Sequence, residues 1–84
     1  MSKVKIEQAL KAAFHPVYLN VIDDSAKHAG HAGAEEGGHF TVDIVSEAFA
    51  GKKALERHRL VYAALAPLKG SIHALAIKAG APGE

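Results

Sequence analysis

The side chains of this sequence that could do chemistry are mainly histidines, because the chain has six of them and no cysteine. An imidazole can bind a transition metal or move a proton near neutral pH. The missing thiols exclude disulfides, a cysteine-based zinc finger or ribbon, a cysteine nucleophile, and an iron–sulfur site that uses sulfur from this chain alone. Histidine chemistry therefore remains open.

Most of the histidines have an ordinary structural explanation. His15 stands at the predicted end of a helix, where it can interact with the last carbonyl groups. His58 lies on an apolar helical stripe, which is typical of a hydrogen-bonded core histidine, and His39 opens a strand on its polar side. His28 and His31 lie in a glycine-rich loop, where either simple loop residues or metal ligands fit the pattern.

His73 is the unusual histidine, because it is a polar residue at the start of an apolar strand face that it is predicted to share with Leu75 and Ile77. A lone histidine in such a place more often has a structural role. It becomes part of a site only if a loop histidine joins it, and the long hairpin loop could fold near the start of the third strand.

A basic cluster is the second candidate site. It places four cationic side chains within eight residues: Lys52, Lys53, Arg57 and Arg59. At the start and on the outer face of a helix, they could contact phosphates without reading base sequence. A solvated helix face is the more ordinary explanation, and the net charge of +1 provides no overall basic field that would attract nucleic acid.

Catalytic motifs do not appear in the sequence. There is no nucleophile elbow, phosphate loop, dinucleotide fingerprint or HExxH pair. The hydroxyl residues lack a neighbouring base, and the adjacent Asp23 and Asp24 would face opposite sides of a strand. The sequence therefore predicts a protein that is not an enzyme.

The elements that must position these residues follow the order α-β-β-α-β. Helical spacing of apolar residues predicts helices at 3–14 and about 53–68, and β-branched or alternating runs predict strands at 17–22, 39–44 and 72–79. Residues 25–38 contain four glycines and no large apolar side chain, so they predict a long loop. We expect an α/β (α+β) domain with a three-stranded mixed sheet and the helices on one face.

The second helix and the last residues of the sequence have further predicted features. The helical stripe predicted to face the core contains Leu55, His58, Val61, Tyr62 and Leu65, with the charged residues on the other side. Residues 80–84 read as a frayed or shortened tail.

Length and composition indicate one compact domain over residues 1–84, with 49% apolar and 23% charged residues. No signal-peptide pattern is present, and the longest apolar run, 60–66, is far shorter than the roughly 20 residues of a membrane span. We therefore expect no membrane association and a protein that is not secreted, either cytoplasmic and of bacterial type or organellar after processing.

Several spaced motifs resemble the BolA family. They are HFTVDIVS at 39–46, FAGK at 49–52, RHRLVY at 57–62 and IHAL at 72–75, with VIDDS at 21–25 upstream. The resemblance covers nearly the whole chain. It implies a fold similar to the class II KH domain. The KH domain's GxxG loop has no counterpart at the helix junction, where Gly51-Lys52 is the nearest feature, so KH-like RNA binding does not follow.

The resemblance also implies a partner and a cofactor. BolA-like proteins form heterodimers with monothiol glutaredoxins and share a [2Fe-2S] cluster, with sulfur supplied by the partner's cysteine and by glutathione. The family's C-terminal histidine ligand matches His73, and its loop ligand matches His28, with His31 as the alternate. The isolated apo protein is then expected to carry no cofactor, and a weak homodimer is possible.

Bacterial BolA-like proteins are also described as DNA-binding transcriptional regulators of stress response and cell shape. This resemblance implies a second hypothesis, in which Lys52, Lys53, Arg57 and Arg59 contact DNA. The family commonly has Thr-Pro followed by a short helix after its last strand. Here Ala81-Pro82 takes that place and the sequence stops at Glu84, so we expect that helix to be missing or vestigial.

Overall fold

A computed structural model describes residues 2–24 and 38–84 of the chain. Its elements are α1 (Ser2–Phe14), β1 (Tyr18–Asp23), β2 (Gly38–Val45), α2 (Ala54–Leu65) and β3 (Ile72–Gly80). Short 3₁₀ turns follow β2 at Glu47–Phe49 and follow α2 at Ala66–Ser71. The predicted order α-β-β-α-β is confirmed. The second α-helix ends earlier than predicted, and the chain continues in 3₁₀ geometry around Pro67 because proline cannot supply the next helical amide.

The three strands form one mixed sheet in the order β1-β2-β3, as predicted. β1 and β2 pair antiparallel, and β2 pairs parallel with β3, so α2 is the crossover between two parallel strands. The predicted alternation in β2 is confirmed, because Phe40, Val42 and Ile44 are buried while the residues between them are half-buried. In the ranges 2–24 and 38–84, no helix is long and apolar enough to cross a membrane.

The core lies between the sheet and the two helices. α1 contributes Ile6 and Leu10 to it, and α2 contributes Val61 and Leu65. Strand residues and the following turn complete this cluster: Val21, Phe40, Val42, Ile44 and Phe49. Both helices therefore cover one face of the sheet, as the sequence predicts.

The buried side of α2 differs from the predicted stripe. Leu55 and Tyr62 are 61% and 53% exposed, whereas Val61 and Leu65 are buried. The side chain of Arg57, predicted to lie on the outer side, is only 12% exposed. The prediction is confirmed for Val61 and Leu65 and wrong for Leu55 and Tyr62. It is also wrong for Arg57, because a long arginine side chain can cover apolar surface with its methylene groups while its charged end finds polar partners.

Hydrogen bonds join the end of β2 at Val45 to the end of β3 at Gly80 and to the residues that follow both strands. We call this region the locked end. Buried Ser46 is its centre, because its amide donates to the carbonyl of Gly80 at 3.0 Å. Its Oγ donates to the carbonyl of Phe14 at 2.6 Å and accepts from the amide of Ala48 at 3.1 Å. One serine thus joins the end of α1 to the sheet.

The termination of α1 belongs to the same region. His15 has a left-handed φ of 45°, and its amide still donates to the carbonyl of Lys11 at 3.0 Å. This geometry ends the helix just before Pro16, which disfavours helical backbone in the residue that precedes it. The ring of Phe14 then packs on that of Phe49, with centroids 4.9 Å apart.

The tail at 80–84 is packed, so the prediction of a frayed tail was wrong. Both carboxylate oxygens of Glu84 accept hydrogen bonds from Arg57, each at 2.6 Å, and Glu84 Oε1 also accepts from the amide of Ala81 at 3.1 Å. Ala81 is buried, and Gly83 has a φ of 87° that lets the chain turn back. The hydrogen bonds from Arg57 and Ala81 lower the pKa of Glu84 to about 2.

Candidate metal-ligating site

His39 and His73 lie together where β2 and β3 begin, at the opposite edge of the sheet from the locked end. Their ring centroids are 5.0 Å apart, and the ring planes are inclined by 47°. We call this region, with the neighbouring Asp24, Gly38 and Ile72, the histidine end. It is the place where the described part of the chain brings two imidazoles into contact.

A bulge in the strand pairing explains the position of His73. Gly38 pairs with Ile72, but the next residue of β2, His39, pairs with Ala74. His73 is therefore the extra residue of a β-bulge, and a bulge re-aims the side chain that it carries. The predicted common face of His73, Leu75 and Ile77 is wrong for this reason, because His73 is exposed while the other two pack against the core.

His39 is held by the end of the β1–β2 pair. Its carbonyl accepts from the amide of Asp24 at 2.7 Å, and the Asp24 carboxylate accepts from the hydroxyl of Thr41 at 2.8 Å. The strand alternation in the sequence predicts His39 on the polar side of β2 and does not link it to His73. The signal that could have joined them is the predicted β2–α2–β3 crossover, since the first residues of two adjacent parallel strands meet at one edge of the sheet.

Two shallow cavities flank the histidine pair. The larger, of about 410 Å³, lies between α2 and β3, and its lining includes His73, Tyr62, Leu65 and Lys69. The smaller, of about 260 Å³, is lined by His39, Asp24 and Thr41 among others. Ala74 and Leu75 line both cavities, so the two imidazoles lie where these adjoining cavities meet.

The predicted loop ligands His28 and His31 lie outside the described residues. The segment that contains them is joined to Asp24 and to Gly38, and both of these belong to the histidine end. Among residues 2–24 and 38–84, no group of three or more histidine, cysteine, aspartate or glutamate side chains could hold a metal ion.

The basic cluster is divided by the fold. Lys52 and Arg59 line a common groove of about 310 Å³ beside α2, and Lys53 is exposed at the start of the helix. Arg57 is turned away into the locked end, where its Nε donates to the carbonyl of Lys52 at 2.8 Å and its Nη1 to that of Ala79 at 3.0 Å. Its remaining contacts are to Glu84, which raises the pKa of Arg57 through a hydrogen bond and opposite charge. Arg57 is thus a structural residue in this fold.

Comparison with known proteins gives consistent similarities. The family model described as "BolA-like protein" matches residues 10–84. The "DNA-binding transcriptional regulator BolA" of Escherichia coli (strain K12) is 46% identical over 78 residues, which cover 92% of this chain and 72% of that protein. The "SufE-like protein 1, chloroplastic/mitochondrial" of Arabidopsis thaliana is 43% identical over 96% of this chain, but the chain spans only 24% of that protein.

Solved structures agree with these sequence similarities. BolA1 from Arabidopsis thaliana has a TM-score of 0.84 and 36% identity, with 100% of this chain and 95% of that one covered. The BolA domain of SufE1 from the same plant has a TM-score of 0.81 and 46% identity, with 95% and 91% covered. The arrangement of two helices on a three-stranded mixed sheet is shared with these proteins.

Proposed function

This chain belongs to the BolA-like protein family, and on that basis we propose that it is a non-enzymatic adaptor that pairs with a monothiol glutaredoxin and shares a [2Fe-2S] cluster with it. The cluster would serve iron–sulfur trafficking or iron-status regulation. The observation that carries this proposal is the exposed imidazole of His73 on the β3 bulge, in a chain that has no cysteine.

Histidine ligands from this chain suit a shared cluster. Imidazole is a suitable iron ligand, and a [2Fe-2S] centre with histidine in place of some thiolates has a raised reduction potential. This chain would contribute His73 and a loop histidine, His28 or its alternate His31. The glutaredoxin cysteine and a glutathione thiol would supply the sulfur that the sequence lacks.

The surface beside His73 supports pairing with another protein. The groove of about 410 Å³ is mainly apolar in its lining, and half-exposed Tyr62 stands at its rim. Aromatic residues of this kind are enriched where partners bury an interface. A partner that covers this groove would also exclude water from the ligand position of His73.

Mixing the chain with a holo monothiol glutaredoxin tests this proposal. We expect the visible absorption and circular dichroism of the cluster to change when the wild-type chain is added, and to stay unchanged with His73→Ala. His15→Asn, at an exposed histidine of the locked end, is the matched control and should behave as wild type. An unchanged spectrum with wild type, or equal changes with wild type and His73→Ala, contradicts the proposal.

The loop ligand is tested in the same mixture. His28→Ala should weaken or remove the spectral change, and His31→Ala should leave it intact if His28 is the ligand. The reverse result would assign the role to His31. Equal spectra for wild type and for both single variants, and also for the double variant, would contradict a loop histidine ligand.

The name of the Escherichia coli relative favours a second candidate function, DNA binding. Within the basic cluster, the cationic side chains available for phosphate contact are Lys52, Lys53 and Arg59, because Arg57 is engaged with Glu84 and two carbonyl groups. Contacts of this type would give salt-dependent affinity with little base specificity.

Binding to a duplex at several salt concentrations tests this candidate. The double substitution Lys53→Ala/Arg59→Ala should reduce the magnitude of the slope of log affinity against log salt by about 2, since each phosphate contact contributes about one unit. Lys11→Ala, on α1, should leave the slope unchanged. Affinity that does not respond to salt or to the double substitution contradicts DNA binding by this surface.

A further inference from the structure

The contact between His39 and His73 suggests a binding site that needs no partner protein. We propose that these two side chains chelate a single divalent transition-metal ion of the borderline class, which includes Zn²⁺, Ni²⁺ and Cu²⁺. This mononuclear site uses residues of one chain. It therefore needs neither the glutaredoxin of the proposed heterodimer nor the loop histidines, although it shares His73 with the proposed cluster.

The distance between the two rings suits the binding of one metal ion by both. When two imidazole nitrogens bind one Zn²⁺ at about 2.0–2.1 Å with a tetrahedral angle between them, the ring centroids lie about 5 Å apart. The observed separation of the centroids of His39 and His73 is 5.0 Å, with the rings inclined by 47° rather than stacked face to face. Because His73 is exposed, its ring can turn a nitrogen toward the ion without disturbing the core.

The backbone that carries the two histidines holds them at a fixed spacing. His39 is in β2, with its carbonyl bonded to the amide of Asp24, and His73 is in the bulge of the adjacent β3. Ligands placed on paired strands keep their spacing before the ion arrives, so less conformational entropy is lost on binding. In the regular alternation of β3, His73 would share the core face with Leu75 and Ile77; the bulge instead turns its side chain toward that of His39.

The surroundings define the class of ion. Neutral imidazole is a borderline donor, and the affinity of such a site follows the order in which Cu²⁺ exceeds both Ni²⁺ and Zn²⁺. The carboxylate of Asp24 lines the same cavity as His39 and favours a cation there, whereas Lys69 lines the groove beside His73 and opposes it. No third protein ligand completes the group among residues 2–24 and 38–84, so water would fill the remaining positions.

Occupation of this site would have a consequence for the proposed function. An ion bound by His39 and His73 would use the imidazole that the shared cluster requires. The two binding events would then exclude each other, and by linkage each would weaken the other to the same degree. The chelate itself is tested on the isolated chain, so its failure and the failure of the glutaredoxin proposal are separate results.

The experiment uses the purified full chain, without glutaredoxin, and Cu²⁺ alone as the probe. Electron paramagnetic resonance should show coordination by two imidazole nitrogens, and calorimetric titration should show one ion per chain. His39→Ala and His73→Ala should each weaken the affinity by about 100-fold, because loss of one ligand removes the chelate advantage.

Two further variants make the result specific. The double substitution His28→Ala/His31→Ala and the single substitution His15→Asn should both bind Cu²⁺ as tightly as wild type. Far-ultraviolet circular dichroism would confirm that each variant is folded. Unchanged affinity in folded His39→Ala or folded His73→Ala overturns the proposal, and so does loss of binding in the loop double variant.

Discussion

The two ends of the β2–β3 pair have opposite designs. At the locked end, buried Ser46 joins α1 to the sheet, and Arg57 joins α2 to the tail through Glu84. At the histidine end, a bulge lifts His73 out of the strand pattern and sets it, exposed, beside His39. The same two strands thus carry an end rich in fixed hydrogen bonds and an end that presents donor atoms to the outside.

This difference separates stability from function. Polar groups that hydrogen-bond to one another inside the fold are no longer available for ligands, and their removal leaves unsatisfied partners. An exposed imidazole costs little to remove and can still bind an ion or a partner's cluster. We therefore expect substitutions at the locked end to lower the free energy of unfolding, and substitutions at the histidine end to change binding.

The largest loss of stability is expected for Phe49→Ala at the locked end. Phe49 is fully buried and packs on Phe14, so the substitution should lower the free energy of unfolding by about 3–5 kcal/mol, from lost burial and the cavity that remains. Urea denaturation at neutral pH would measure it. Leu55→Ala, on the exposed side of α2, is the matched control and should change stability by less than about 0.5 kcal/mol. Equal losses for the two variants would contradict the observed orientation of α2.

Ser46→Ala should have the next largest effect. It leaves the carbonyl of Phe14 and the amide of Ala48 without their side-chain partner in a buried place, which should cost about 1–3 kcal/mol. Urea denaturation again provides the measurement. Ser71→Ala, at an exposed position before β3, should stay within about 0.5 kcal/mol of wild type. A neutral Ser46→Ala would show that the locked end does not depend on this serine.

Glu84→Gln should give a pH-dependent loss of stability. The pKa of Glu84 is about 2 in the folded chain and has an ordinary value of 4.5, so the ionised form is stabilised by folding. That contribution is fully present above about pH 4.5 and declines as the pH falls toward 2. Thermal unfolding of wild type and Glu84→Gln between pH 7 and pH 2 should therefore converge at the acid end. A difference that stays constant over this range would contradict a tail held by ionised Glu84.

His73→Ala should have the smallest effect on stability. The side chain is exposed on the bulge, so the free energy of unfolding should stay within about 0.5 kcal/mol of wild type. Urea denaturation of this variant beside Ser46→Ala compares the two ends directly. A loss as large as that of Ser46→Ala would mean that the histidine end also serves stability.

Much of the fold could be predicted from the sequence. The alternation of Phe40, Val42 and Ile44 determines which side of β2 is buried, and the apolar spacing in α1 places Ile6 and Leu10 in the core. The buried side of α2 could not be predicted in this way, because Tyr62 and Arg57 both have an apolar part and a polar end, so either could be buried. Arg57 is the buried one because its guanidinium binds the carbonyl of Ala79 and the carboxylate of Glu84, and helical spacing does not reveal these partners. The packed tail was missed for the same reason, since its contacts link residues far apart in sequence.

The candidate site could be predicted only in part. His73 stands out in the sequence as a polar residue in an apolar strand, and the structure places it exposed at the sheet edge. The contact of His73 with His39 and the exposure of His73 both depend on a bulge. A bulge is a one-residue change in strand pairing, and the alternation of apolar residues in the sequence does not reveal it. The orientation of Arg57 away from Lys53 and Arg59 likewise depends on its contact with Glu84, which is distant in the sequence.

We infer that binding belongs to the histidine end and stability belongs to the locked end. Titration of a holo monothiol glutaredoxin with His73→Ala, and separately with folded Ser46→Ala, tests this division directly through the visible circular dichroism of the cluster. We expect Ser46→Ala to reproduce the spectral change given by wild type and His73→Ala to give none. A full spectral change with His73→Ala, or its loss with folded Ser46→Ala, would contradict the claim.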